Sequence, residues 1–218
     1  MKNLGLGTAS LSMGSLVTAS SCAPSGDSSL KQNAKDGEDG QFLFIGDDIA
    51  IAQTEYGKAQ GYLLNHVYTF LGVPYGADTS GKNRFMPPQK PEPWTDVRPA
   101  VFYGNTAPQR MEDRWPNNYG TFADHWNYWD VSEDCLYLNV WTPGIADGKK
   151  RPVLVWLHGG GYTNGSGIEQ DGYHGENISR EGDIVFCSIN HRLGPIGFSD
   201  LSGVGGEAYK DSGNVGML

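Results

Sequence analysis

The sequence predicts an α/β fold in which an antiparallel edge leads into a parallel, helix-covered sheet. Residues 136–141, 153–157 and 184–189 are apolar runs of strand length, as strands covered on both faces require. Upstream, the short segments 42–45, 51–56 and 60–64 alternate in polarity and are separated by Gly-Asp, Gly-Lys and Asn-His. That pattern suggests a small antiparallel meander. Between the last two apolar runs, residues 165–182 leave room for a short helix near 177–181.

Taken in order, residues 1–22 look like an export signal. Lys2 precedes a mildly apolar stretch from Leu4 to Val17, followed by Thr18-Ala19-Ser20-Ser21-Cys22, small residues suited to cleavage. Cys22 in that place resembles the lipidated cysteine of a bacterial lipoprotein, with Ala19 where leucine is usual. Lys2-Asn3-Leu4-Gly5-Leu6-Gly7 also resembles the tail of a twin-arginine signal, which would put the true start upstream. An ordinary disordered N-terminus is the alternative. The expected location is exported, periplasmic or membrane-anchored, with membrane contact only through a lipid on Cys22. Residues 23–40, with Pro24, Ser25, Gly26, Asp27 and then Lys, Asp, Glu and Gly, cannot bury a core and read as a flexible linker.

Residues 41–218 then read as the folded portion. Residues 76–130 form a long connection rich in Pro and Trp (Pro87, Pro88, Pro91, Pro93, Trp94, Trp115, Trp126, Trp129). A connection of this length usually wraps a core or carries function. Lys149-Lys150-Arg151 flanks the strand at 153–157 as a solvated turn. That strand runs straight into His158-Gly159-Gly160-Gly161. Without Cβ atoms, the peptide N–H groups of such a loop can crowd around one ligand atom. An oxyanion hole needs donors fixed in that way before charge develops. The 218 residues contain no G-x-S-x-G; the nearest approach, Gly197-Phe198-Ser199-Asp200-Leu201, lacks the second glycine.

Bulk properties narrow the function. A formal net charge of −9 offers no basic face for nucleic acid. No apolar run reaches the 18 or more residues of a membrane-spanning helix. Three cysteines (Cys22, Cys135, Cys187) are too scattered for a disulfide framework or zinc site, and the five histidines lack metal-ligand spacing. Cys187 reads as a small buried hydrophobe. No cofactor or metal is implied.

Five blocks, in order, resemble the type-B carboxylesterase family, which includes the cholinesterases and bacterial p-nitrobenzyl esterases. They are Phe70-Leu-Gly-Val-Pro-Tyr-Gly76; Arg84-Phe85 with Pro87-Pro88 and Trp94; Ser132-Glu-Asp-Cys-Leu-Tyr-Leu-Asn-Val-Trp-Thr-Pro143; Pro152 to Tyr162; and Ile189-Asn-His-Arg-Leu-Gly-Pro-Ile-Gly-Phe198. The likeness runs from about Ile51 to Leu218. It implies the N-terminal part of an α/β-hydrolase fold, and hydrolysis of a small carboxylic ester through a serine acyl-enzyme. Gly160 and Gly161 would supply two oxyanion-hole N–H groups. The nucleophile, acid and base are not in the chain, so residues 1–218 are expected to be inactive alone. Gly213-Asn-Val-Gly-Met-Leu218 resembles the segment opening the helix two elements before the serine elbow.

The resemblance also gives Arg84 and Glu133 the role of a buried structural ion pair, and His158 that of shaping the loop rather than acting as a base. His191 stands where the family usually has Tyr. Cys135 matches a cysteine often bonded to one upstream; Ala107 occupies that partner position, so a free, buried thiol is expected. Trp126 and Trp129 fall where some relatives place an aromatic lining the acyl or cation pocket, with core or rim packing the favoured reading here, and Gly165 and Gly167 read as backbone hinges for a turn. A non-catalytic cholinesterase-like binding or adhesion protein, or an inactive truncated product, is the alternative; the intact loop from His158 to Tyr162 favours catalysis. Strands 153–157 and 184–189 lack the neighbours they need, so an exposed apolar sheet edge and a tendency to aggregate are expected.

Overall fold

The computed structural model describes residues 41–110 and 130–218. The export-type segment 1–22 with Cys22, the linker 23–40, and Trp115, Trp126 and Trp129 lie outside them.

Six strands build the main sheet: β1 (Leu43–Phe44), β4 (Tyr62–Leu64), β5 (Val67–Pro74), β7 (Tyr137–Thr142), β9 (Val185–Ile189) and β8 (Val153–Trp156), in that spatial order. A smaller sheet holds β2 (Ile51–Gln53), β3 (Lys58–Gln60) and β6 (Arg98–Pro99). The three apolar runs are strands, as the sequence predicts. Antiparallel pairing extends further than expected, however. β7 runs antiparallel to both β5 and β9, and the parallel pairing in this sheet is that of β8 with β9.

The expected meander is divided between the two sheets. The run 60–64 spans the end of β3 and the whole of β4, and the chain crosses over at Gly61. Gly61 N–H donates to Ala50 O at 2.9 Å, and a Cβ there would lie 2.0 Å from Thr69 O. Only glycine fits where the two sheets come that close, so the alternating pattern continues while its partner strand changes.

Between β8 and β9 lies helix α1 (Glu176–Gly182), over the segment the sequence assigned to a helix. It has no side-chain N-cap bond; Asp183 ends it in the left-handed region at φ 46°, its N–H on Ser179 O. Glu176 and Arg180 pair one turn apart at 3.0 Å. Gly175 lets the helix start sit against Trp141 and Phe186, whose rings are 5.8 Å apart. With Val67 and Leu71 these rings form one buried cluster, and complete burial of a side chain of that size contributes roughly 1.5–3 kcal/mol. Phe70, Ala50, Ala59 and Ala100 form a second cluster. Two short helices follow β9: α2 (Gly194–Phe198) and α3 (Ser202–Gly205).

β8 pairs with β9 on one side and with no strand on the other among the described residues. Val153 is 64% exposed and Val155 51%. This is the apolar edge expected at 153–157; 184–189, expected to lack neighbours as well, is instead an interior strand, with β9 paired to β7 on one side and β8 on the other.

Candidate active site

The glycine loop leaves the C-terminal end of β8, the strand whose parallel pairing with β9 fixes where the loop begins. Its backbone is left-handed at Gly160 (φ 112°), Gly161 (φ 61°) and Tyr162 (φ 62°). Gly160 O accepts from Thr163 N–H at 3.1 Å and Asn164 N–H at 3.2 Å, so the chain curls back over Gly160. A Cβ on Gly160 would lie 1.8 Å from Asn164 O. Neither the Gly160 nor the Gly161 N–H donates to an acceptor among the described residues, and both glycines are exposed. Two donors on a tightly curled, solvent-facing loop suit an incoming anionic oxygen.

His158 is 8% exposed, and its Nδ1 lies 2.8 Å from Gly159 O. A carbonyl only accepts, so Nδ1 carries the proton. The bond holds the peptide unit whose other end is the Gly160 N–H. His158 is thus turned into the loop, consistent with shaping it. Its ring stacks on His191, with centroids 4.6 Å apart and planes 11° from parallel. A cavity of about 320 Å³ lies here, lined by His158, Gly159, Gly161, Tyr162, His191 and Met217 among others. A larger cavity of about 460 Å³ is lined mainly by apolar side chains such as Phe70, Val73, Leu138 and Val140, and Glu55 is its one charged lining residue. The loop cavity, with its convergent donors and imidazoles, is the candidate site.

Buried and half-buried polar side chains tie the loop down. Gln109 reads Gly165 at both ends, its Oε1 accepting from Gly165 N–H at 2.8 Å and its Nε2 donating to Gly165 O at 2.9 Å. Asn190, at the end of β9, accepts from Gly167 N–H at 2.7 Å through Oδ1 and donates to Asn105 O at 3.0 Å. Tyr75 OH donates to Asn190 O at 2.7 Å. Gly165 and Gly167 are therefore clamped and buried, not the hinges expected from the sequence. Arg192, 1% exposed, donates to Met86 O at 2.8 Å and Val215 O at 2.5 Å. Asn190, Arg192 and Gln109 were not singled out from the sequence. The available signal was a polar triplet, Asn-His-Arg, directly after an apolar strand that must end inside the protein.

Arg84 and Glu133 form a two-pronged pair, with Nε to Oε2 and Nη2 to Oε1 both at 2.7 Å. The expectation of burial does not hold: the side chains are 45% and 21% exposed. The connection here runs along the surface, so solvent reaches the guanidinium. Cys135 is free and fully buried, in one cluster with Ala107, Leu136 and Leu193. Burial pushes its thiol up to about 12, and that of Cys187 up to about 11. Neither is suited to nucleophilic work at neutral pH.

Among the described residues no group of His, Cys, Asp and Glu could hold a metal ion, and no helix is long and apolar enough to cross a membrane.

Residues 48–218 match the sequence pattern of the Carboxylesterase family. The chain is 45% identical over 157 residues to the phenmedipham hydrolase of Pseudarthrobacter oxydans, covering 72% of this chain and 30% of that protein. It is 39% identical over 168 residues to the para-nitrobenzyl esterase of Bacillus subtilis (strain 168), covering 77% and 32%. Among solved structures, an esterase from anaerobic Clostridium hathewayi superposes with a TM-score of 0.73 at 38% identity, over 81% of this chain and 34% of that one. The chain thus spans about a third of the length of these relatives.

Proposed function

The chain belongs to the carboxylesterase family, and on that premise we propose that it supplies the oxyanion loop of a serine carboxylic ester hydrolase. The observation that carries this reading is the loop at Gly160 and Gly161: exposed, left-handed and with no acceptor for either N–H among the described residues. A serine attacking an ester carbonyl would place negative charge on its oxygen, and two preset N–H donors would stabilise that charge as it forms. The relatives named above are hydrolases and esterases of the same family. The nucleophile, its histidine and the orienting acid are proposed to lie outside residues 1–218, since no G-x-S-x-G occurs within them. Residues 1–218 alone are then inert. Export, with Cys22 as a lipid attachment point, is part of the reading and is supported by the residue types of 1–22.

The test is sequencing of the locus beyond codon 218, followed by p-nitrophenyl acetate hydrolysis by the product it encodes and by residues 1–218. Hydrolysis by the longer product, abolished when an elbow serine is changed to alanine, supports the reading. Turnover by residues 1–218 alone, or a longer product whose elbow lacks serine, sinks it.

A further inference from the structure

We propose that His191 is a positioning residue for the oxyanion loop, holding His158 so that its Nδ1–H fixes the peptide that presents the Gly160 N–H. This rests on the oxyanion reading of that loop. Three contacts and one peptide bond form a continuous chain. His191 Nδ1 lies 2.9 Å from Arg192 O, which anchors the ring at the end of β9. The ring stacks on His158, nearly parallel at 4.6 Å. His158 Nδ1 donates to Gly159 O at 2.8 Å. Gly159 O and the Gly160 N–H belong to one planar trans peptide, so fixing one fixes the other.

The remaining walls leave His158 little freedom. A Cβ on Gly165 would lie 2.3 Å from His158 Nδ1, so that backbone is already packed against the ring. Phe198 meets His191 edge-on at 6.5 Å, and Tyr162 packs on Phe198 at 4.8 Å. Removing His191 opens the face of the ring on which it stacks.

The stack also needs uncharged rings, because two parallel imidazolium ions at this distance repel. Both are 8% exposed or less. Burial lowers the pKa of His191 from its ordinary value, partly offset by its bond to Arg192 O. Among the contacts described, the titratable and charged groups beside the pair include Tyr162 of the loop and Arg192 of the β9 end; the Arg192 guanidinium is turned to Met86 O and Val215 O. Protonation as pH falls below the ordinary imidazole range would therefore loosen the loop from within.

The experiment uses the complete gene product with His191→Ala and His191→Phe. Phenylalanine keeps a flat ring against His158 and cannot titrate; alanine removes the ring. His191→Ala is expected to lower kcat for p-nitrophenyl acetate at pH 8 by about tenfold or more. That stays short of the roughly 10²–10³ that losing a donor outright costs. KM should change by no more than about twofold, since the donor acts on the transition state. His191→Phe is expected to keep wild-type kcat at pH 8, since a flat ring still covers His158. Equal losses in both variants, or an unchanged kcat in His191→Ala, overturns the proposal.

A second measurement does not depend on turnover. With ¹⁵N-histidine labelling, the His158 Nδ1 proton should be visible at pH 8 in the wild type and in His191→Phe, and lost to exchange in His191→Ala. Its persistence in His191→Ala overturns the proposal. Wild-type protein that cleaves no ester sinks the functional reading, and this resonance then decides the positioning role by itself. If His191→Ala does not fold, His191→Leu, which fills the space without a flat ring, takes its place with the same expected and refuting outcomes.

Discussion

Three adjacent glycines separate collision from backbone strain, and alanine substitutions at each test how the loop works. At Gly160 the new Cβ would sit 1.8 Å from Asn164 O, against the 3.4 Å at which ordinary contact begins. The two must part by the difference, 3.4 − 1.8 = 1.6 Å, and the φ of 112° is one that alanine resists. A displacement of about 1 Å can cost about 10²-fold in rate, and loss of one oxyanion donor about 10²–10³-fold, or roughly 2.7–4 kcal/mol. Gly160→Ala is therefore expected to lower kcat by about 10²-fold or more with KM little changed. At Gly161 the φ is 61° but no atom lies within 4 Å of the new Cβ. Only the left-handed strain remains, roughly 1–2 kcal/mol, and about a tenfold loss is expected. Gly159 has neither a positive φ nor an atom within 4 Å of the new Cβ, so Gly159→Ala should have the smallest effect of the three. The assay is steady-state hydrolysis of p-nitrophenyl acetate by the complete gene product, with urea unfolding of each variant. A Gly160→Ala protein as active as Gly159→Ala would refute the geometric reasoning, and an equal loss at all three would point to general damage.

Asn190→Ala leaves the Gly167 N–H and Asn105 O without their buried partners, each costing about 1–3 kcal/mol; urea midpoints measure it, and an unchanged midpoint would mean water replaces the amide. Cys135 and Cys187, with thiols pushed up to about 12 and about 11 by burial, should resist a thiol-disulfide reagent at pH 8 and react on unfolding, as read by mass mapping of labelled peptides. Arg151, hydrogen-bonded to Asp147 at 2.7 Å, lowers that carboxyl to about 2 from its ordinary 3.8. A lowered folded pKa stabilises above about pH 4 and ceases to do so as pH falls through about 2. The stability difference between wild type and Arg151→Ala should shrink over that window, and a difference independent of pH would assign it to packing.

What the sequence makes legible is what a short window can encode. The three apolar runs and the helix before β9 follow from composition and period. The glycine loop is legible because a strand followed by His-Gly-Gly-Gly has few other uses. Pairing partners are not legible in the same way. Nothing within residues 60–64 says that Gly61 passes the chain from one sheet to another; that depends on Thr69 O lying where a Cβ would go. Nor does local pattern order the strands so that β9 separates β7 from β8. The exposure of the Arg84–Glu133 pair escapes sequence for the same reason, since burial depends on what the rest of the chain covers.

The loop's clamps show how distant parts of the chain are spent on one small stretch of backbone. Gln109 and Asn105 come from the long connection, Asn190 and His191 from the end of β9, and His158 from the end of β8. Each bonds or stacks on the loop or its neighbours, and each is held by groups of its own. A loop whose only task was to join two elements would not need its carbonyls and N–H groups read at Gly159, Gly165 and Gly167 by three separate side chains. Ordering those side chains costs conformational entropy, and burying their polar atoms is unfavourable unless every bond is made. The return on that cost is a backbone whose two outward donors, at Gly160 and Gly161, are in place before any ligand arrives. On the proposed reading, donors preset in this way would stabilise charge as it develops on an ester oxygen. Gly165 and Gly167 are therefore better regarded as fixed points of the glycine loop than as joints, and substitutions at Gln109 or Asn190 should be felt first at Gly165 or Gly167.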